Sequence, residues 1–289
     1  MRQKTFWILC SICILLVAGC SKTEETKAGR AAKESAAVLD EVQMLQFVDV
    51  RGESHEVTID PEVRPMTYDK EAFERYENRM IYNDSTYSYR LGIDVSHYQG
   101  EIEWEKVKNS GIEFVMIRLG FRGYGQEGVL KLDTKFQENI QGARAAGLDV
   151  GVYFFSQAIT EQEAREEAEF VIEHLQPYDL QLPVAYDPET ILHDEARTDD
   201  VTGEQFTKNT VAFCETIENA GYDSMVYCNM LWQAYELDLK AIANYPIWYA
   251  DYESKPQTPY HFEYWQYSNE GRVDGIQGNV DLNIQMIHK

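Results

Sequence analysis

From Leu91 to the C-terminus the chain repeats one device: a short continuous apolar run, a polar stretch with helix punctuation, then another apolar run. The runs are Leu91–Val95, Phe114–Leu119, Val150–Phe155, Leu182–Asp187, Met225–Asn229, Pro246–Tyr249, Tyr264–Tyr267 and Val280–Asn283. Runs without polar alternation describe strands buried on both faces, which is the signature of a parallel sheet covered by helices. Between them, Asp133 is placed to cap a helix with Phe136, Ile140 and Ala143 on one face, ended by Gly147. Thr160 and Glu163 form a capping box ahead of Ala164, Ala168, Val171, Ile172 and Leu175; Thr202 and Gln205 repeat the device ahead of Phe206, Phe213 and Ile217. Eight strands with helical crossovers predict an α/β fold, an irregular TIM-like (β/α) barrel. The later units are short, so some crossovers are expected to be loops. A doubly wound open sheet is the alternative, but no Gly-rich phosphate loop follows the first strand.

The barrel segment, 91–289, leaves a long N-terminal part to explain. Arg2 and Lys4 precede an apolar run from Phe6 to Gly19, shorter than the roughly 20 residues of a membrane span. A basic start, a short apolar stretch and small residues describe a secretory signal over 1–19. Val17-Ala18-Gly19-Cys20 resembles a bacterial lipobox, so Cys20 is the expected lipidation site and the protein is expected outside the cytoplasm, lipid-anchored to the bacterial cell membrane. A plain signal peptide with an incidental cysteine is the competing reading. Residues 20–42 are polar, Ala-rich and aperiodic, a flexible tether. Residues 43–90 read as an accessory element: a β-hairpin over 43–60, then a short helix and an aromatic loop containing Tyr68, Phe73, Tyr76, Tyr82, Tyr87 and Tyr89. Of five cysteines, Cys10 and Cys13 fall in the signal; Cys214 and Cys228 would either bridge in an oxidising compartment or stay as buried thiols.

Charge narrows the partners. With 49 acidic against 26 basic residues, the formal net charge is −23, which argues against a nucleic-acid binder. The 19 Tyr, 12 Phe and 5 Trp suit a carbohydrate site but equally an ordinary core.

The strand ends carry the chemistry. In such a barrel the active site lies at the C-terminal ends of the strands. Those ends hold Asp94, Asp187 with Glu189, and Asp281. Positions i and i+2 of a strand project the same way, so Asp187 and Glu189 share a face. Crowded carboxylates raise one another's pKa, which leaves one able to donate a proton while an ionised neighbour stabilises positive charge. Glycoside hydrolysis needs that division of labour. Four acids could instead cage Ca²⁺ or Mg²⁺, but no EF-hand spacing accompanies them. His97 and His193 lie near these ends without zinc-type spacing, and no Gly-X-Ser-X-Gly elbow is present. No metal and no cofactor are expected.

These segments together resemble glycoside hydrolase family 25, muramidases that cut peptidoglycan between N-acetylmuramic acid and N-acetylglucosamine. The resemblance covers Leu91 to Ile287. It rests on Gly92–Gly100, Phe114–Arg118, Ala146–Phe155, Asp187-Pro188-Glu189, Ile247–Tyr252, Tyr264–Tyr267 and Val280–Asn283, in that order. It implies that Glu189 is the general acid/base and Asp187 its partner carboxylate, orienting the sugar's own N-acetyl group in a retaining, substrate-assisted route. Asp94 and Asp281 match the supporting acids; Tyr153, Trp265, Gln266, Tyr252 and Arg118 would contact substrate. The sequence departs from the family pattern at Leu119–Gly125, where an Ala-Ser/Thr-Glu-Gly run is common, and at Phe154, where His is common. The resemblance thus implies a peptidoglycan muramidase acting as a monomer on glycan strands. A surface lipoprotein that grips glycan without cutting it is the alternative, and would be expected to have lost Asp187 or Glu189. A chitinase would need the stepped Asp-X-X-Asp-X-Asp-X-Glu run, which is absent.

Overall fold

The computed structural model describes residues 43–289. The signal segment, Cys20 and the tether up to residue 42 lie outside the described residues. The described part begins with two antiparallel hairpins: β1 (Met44–Val48) with β2 (Ser54–Thr58), and β3 (Phe73–Tyr76) with β4 (Arg79–Tyr82). Where the sequence suggested a short helix, the chain makes only a three-residue 3₁₀ turn, Lys70–Ala72, capped by Asp69.

The remaining strands are β5 (Tyr87–Val95), β6 (Phe114–Arg122), β7 (Leu130–Leu132), β8 (Asp149–Ser156), β9 (Val184–Pro188), β10 (Ser224–Asn229), β11 (Ile247–Ala250), β12 (Tyr264–Gly271) and β13 (Val280–His288). All but β7 pair in a closed ring of eight, because β5 bonds both β6 and β13. Each of the eight strands read from the sequence is present. The last differs in sense: β13 runs antiparallel to both β12 and β5. The connection from Gly271 to Val280 is too short for the crossover that a parallel strand requires. The short β7 adds antiparallel to β6, so the Leu119–Gly125 departure is the paired end of β6 and the start of the hairpin bend that follows it.

Among the described residues four α-helices cover the outside: α1 (Trp104–Asn109), α2 (Phe136–Ala145), α3 (Glu161–Leu175) and α4 (Gly203–Asn219). Thr160 and Thr202 cap α3 and α4 through the Glu163 and Gln205 amides. Asp133 does not cap α2 directly. Its Oδ1 accepts from the Lys135 amide at 2.9 Å, one turn upstream, and its Oδ2 accepts from Arg118 Nε at 2.8 Å. After β10 the crossover is a single π-helical turn, Trp232–Glu236, and after β11 it is a loop, so the barrel is irregular as the spacing suggested.

Strand alternation splits the core in two. Phe114, Met116, Ala185, Met225, Trp248 and Tyr264 fill the barrel interior, while Ile93, Val115, Ile117, Val152, Phe154 and Val226 face the helices. Gly92 is obligatory here: a Cβ would stand 2.3 Å from the Phe114 ring, so the missing side chain makes room for it. Cys214 and Cys228 are buried free thiols, which settles the two readings above in favour of no bridge. Burial pushes the Cys228 thiol up to about 12.

The N-terminal hairpins close on the β11–β12 side. Tyr68 is buried and donates to the Phe262 carbonyl at 2.6 Å, and it meets Phe73, Tyr82, Tyr87 and Phe262 ring to ring.

Candidate active site

The C-terminal strand ends open into a cleft of about 740 Å³ lined by Asp94, Asp187, Glu189, Asp281, Tyr153 and Arg118, with His97, Tyr98, Phe121 and Tyr124 at its rim. All four acids singled out in the sequence therefore meet in one place. Asp187 belongs to β9 and is buried; Glu189 lies one residue beyond the strand and is half-open to the cleft. Asp94 and Asp281 are register partners across β5 and β13.

The bonds in the cleft are unequal. Asp94 Oδ2 accepts from Gln266 Nε2 at 2.9 Å and from Asn283 Nδ2 at 2.8 Å. Asn283 is held in turn by Trp248 Nε1 at 2.8 Å, and Gln266 by the hydroxyls of Tyr227 and Tyr252, each at 2.9 Å. Asp187 Oδ1, by contrast, is buried and finds no hydrogen-bond partner among the described residues.

Burial raises the pKa of every one of these acids, because each charged form loses water. Asp187 is driven well above the carboxylate range by burial and then by the charge of Glu189. Glu189 is raised by burial, with Asp94 adding to it and Asp187 and Arg118 opposing. Asp94 is raised by burial against the lowering effect of Asn283 and Gln266. Asp281 is pushed up to about 9 by burial and the facing charge of Asp94. The cleft thus holds protons near neutral pH, and the Asp187–Glu189 pair titrates as a unit.

Arg118 supplies positive charge beside the acids. Its Nε donates to Asp133 Oδ2 at 2.8 Å and its Nη2 lies 2.6 Å from His97 Nδ1. Burial works against the Asp133 charge, yet the Lys135 amide, His97 and Arg118 together hold it below the usual range. The guanidinium also lies 5.3 Å from the ring centres of Tyr98 and Phe121. Ser96 and Gln99 fix this rim through a reciprocal capping box, which turns His97 and the exposed Tyr98 toward the cleft.

Tyr153, Gln266, Tyr252 and Arg118 all reach the cleft or the bonds that brace its acids. Trp265 does not. It is fully buried, donates Nε1 to the Asp251 carbonyl at 2.8 Å and packs edge-on against Phe73. The reason is strand parity: Gln266 turns into the barrel, so its neighbours Trp265 and Tyr267 must turn out. Phe154, the departure beside Tyr153, likewise faces outward against Phe170 and Phe213, away from the cleft.

The sequence reading missed three participants. Asn283 and Tyr227 complete the bracing of Asp94 and Gln266. Glu167 lies fully buried on α3, where it pairs with Arg122 at 2.7 Å and accepts from Ser156 at 2.6 Å. Arg122 also holds the Gly128 and Glu163 carbonyls, fixing the loop that walls the cleft. The signal for Glu167 was legible: it stands inside the apolar stripe of Ala164, Ala168 and Val171.

Residues 93–276 match the family described as glycosyl hydrolases family 25. The autolytic lysozyme of Clostridium acetobutylicum is 30% identical over 193 residues, which cover 66% of this chain and 54% of that protein. The chain thus spans about half the length of that relative. Lysozyme M1 of Streptomyces globisporus is 28% identical over 221 residues, 66% of each chain. Among solved structures, the modular autolysin LytC of Streptococcus pneumoniae aligns with a TM-score of 0.61 at 24% identity, covering 83% of this chain and 56% of that one. The bacterial lysozyme of Streptomyces coelicolor aligns at 0.55 with 25% identity, covering 67% and 90%.

Proposed function

Because this chain belongs to glycosyl hydrolases family 25, we propose that it is a peptidoglycan muramidase that hydrolyses the β-1,4 bond between N-acetylmuramic acid and N-acetylglucosamine. The observation that carries this reading is the unpartnered, buried Asp187 Oδ1 beside Glu189 in the cleft. A buried acceptor left open is costly, and a substrate N–H would complete it. The N-acetyl group of the sugar on the non-leaving side offers one.

In this reading the acetamido N–H donates to Asp187, which lowers the Asp187 pKa and leaves the shared proton on Glu189. The acetamido oxygen then attacks the anomeric carbon as Glu189 protonates the departing glycosidic oxygen. An oxazolinium forms, its positive charge facing the Asp187 carboxylate. Water, deprotonated by Glu189, opens that ring from the face the leaving group vacated, so the configuration is retained and Glu189 regains its proton. Asp94, fixed by Gln266 and Asn283, and the facing Asp281, which keeps its proton to about pH 9, stand as the supporting acids. Tyr153, Tyr252 and Arg118 border the sugar. No metal takes part in this scheme, so activity should survive exhaustive treatment with EDTA.

Mass spectrometry of fragments released from purified peptidoglycan tests the reaction. Reducing muramic acid ends are expected; reducing glucosamine ends would exclude it. The protein is read as a monomer working on glycan strands outside the cytoplasm, anchored through a lipid on Cys20. Labelling with a fatty-acid analogue checks the anchor, which is excluded if a Cys20→Ala variant retains the label. Among the described residues no helix is long and apolar enough to cross a membrane.

A further inference from the structure

Glu189 borders two cavities. The second, about 570 Å³, lies on its other side and is lined by Thr190, Tyr227, Asn229, Tyr252 and, from outside the family-matched segment, Val50 and Arg51 of the β1–β2 turn. That turn is a built feature. Asp49 Oδ1 accepts from the Arg51 and Glu53 amides at 2.8 and 2.9 Å, and its Oδ2 lies 3.1 Å from His55 Nε2. Gly52 takes φ +80, a conformation that other residues resist.

The turn is also fixed relative to the acids. Gln257 Oε1 accepts from the Val48 amide at 2.8 Å and its Nε2 donates to the Val48 carbonyl at 2.9 Å. The Gln257 amide donates to Asp251 Oδ2 at 2.8 Å, next to Tyr252, which holds the Gln266 that holds Asp94. A short chain of bonds therefore ties the hairpin to the cleft floor. Exposed apolar side chains gather at the same cavity: Val50 (56% exposed), Leu192 (50%) and Tyr235 (53%). The Arg51 side chain is 53% exposed, and its Nε lies 3.9 Å from Asp49, which leaves its other donors free for a ligand.

Resting on the muramidase reading, we infer that the β1–β2 turn completes the substrate groove on the far side of Glu189, and that Arg51 takes a carboxylate of the peptide substituent carried by the glycan. Glycan flanking the cut bond must leave the first cavity past Glu189, and the second cavity is the space it enters. Sugars there are neutral, so a guanidinium on that wall is matched by the acidic groups of the lactyl-peptide branch. Val50 and Tyr235 give the apolar faces against which sugar rings and alkyl groups lie.

The test compares two substrates: soluble glycan fragments with their stem peptides, and the same fragments stripped of peptides by an amidase and then amidated at the lactyl carboxylate that the amidase frees, so that the branch carries no charge. Arg51→Ala is expected to raise KM on the peptide-bearing fragments roughly tenfold, as the loss of a charge-assisted hydrogen bond implies. The penalty on stripped glycan should be much smaller. Arg51→Glu should widen the gap between substrates and Arg51→Lys should narrow it, with melting temperatures measured alongside. Equal penalties on both substrates, or none on either, overturn the inference while leaving the muramidase reading intact. A wild-type protein that cuts neither substrate overturns both.

Discussion

Asp281 stands directly across the antiparallel β5–β13 pair from Asp94, so two carboxylates occupy facing positions at the mouth of the barrel. Facing positions on neighbouring strands bring Cβ atoms to about 5 Å, and like charges there oppose folding. Asp281 responds by keeping its proton to about pH 9. Its folded-state pKa is raised above the unfolded value, so its contribution to stability is full below about pH 4 and is lost as pH rises toward 9.

Asp281→Asn should therefore melt at a higher temperature than wild type at pH 8, by about 2–4 °C for each kcal/mol regained, and show little gain at pH 4. Scanning calorimetry at the two pH values checks this. A gain of equal size at both would mean that charge is not the cause.

Glu189→Gln should lower kcat by roughly 10²–10⁴-fold without altering the melting profile beyond a few degrees. The amide keeps the shape and removes the proton donor. A purified variant that digests peptidoglycan within a few-fold of wild type would show that another group is the acid.

The pH profile of kcat/KM should be bell-shaped, because the working form of the Asp187–Glu189 pair holds one proton. Burial raises both groups, so the alkaline limb should lie above the range of an ordinary glutamate. Below the acid limb the pair holds two protons and Asp187 cannot accept the acetamido N–H as a carboxylate. Asp187→Asn should be slow and should lose the acid limb while keeping the alkaline one. A variant with both limbs unchanged would assign that proton elsewhere.

Glu167→Ala should cost about 3–5 kcal/mol, the usual penalty for breaking a buried ion pair, because Arg122 then keeps only the Glu166 carboxylate at 3.6 Å. Urea denaturation measures it. A loss under 1 kcal/mol would mean that the Arg122 guanidinium finds water or another partner.

Trp265→Ala should act on stability, not on substrate affinity. Emptying a buried indole site costs about 3–5 kcal/mol. Retained KM with a much lower melting temperature is expected; a large rise in KM with unchanged melting would restore Trp265 to the cleft.

Much of this was already written in the chain. Apolar runs fixed all eight barrel strands, because burial on both faces leaves no polar alternation to hide them. The spacing of Asp187 and Glu189 fixed their shared face through the two-residue period of a strand. The same period could not say which of Trp265 and Gln266 turns inward, since a strand buried on both sides carries bulky side chains on each. Only ring closure decided that, by directing Gln266 at Asp94. Closure also set Asp281 against Asp94 across the β5–β13 pair. The β1–β2 turn had no local sign of belonging to the cleft: it lies 200 and more residues from Gln257 and Tyr260 of the barrel that hold this hairpin and the chain leaving it. Such pairings form only when the whole sheet has closed, and no short-range pattern records them.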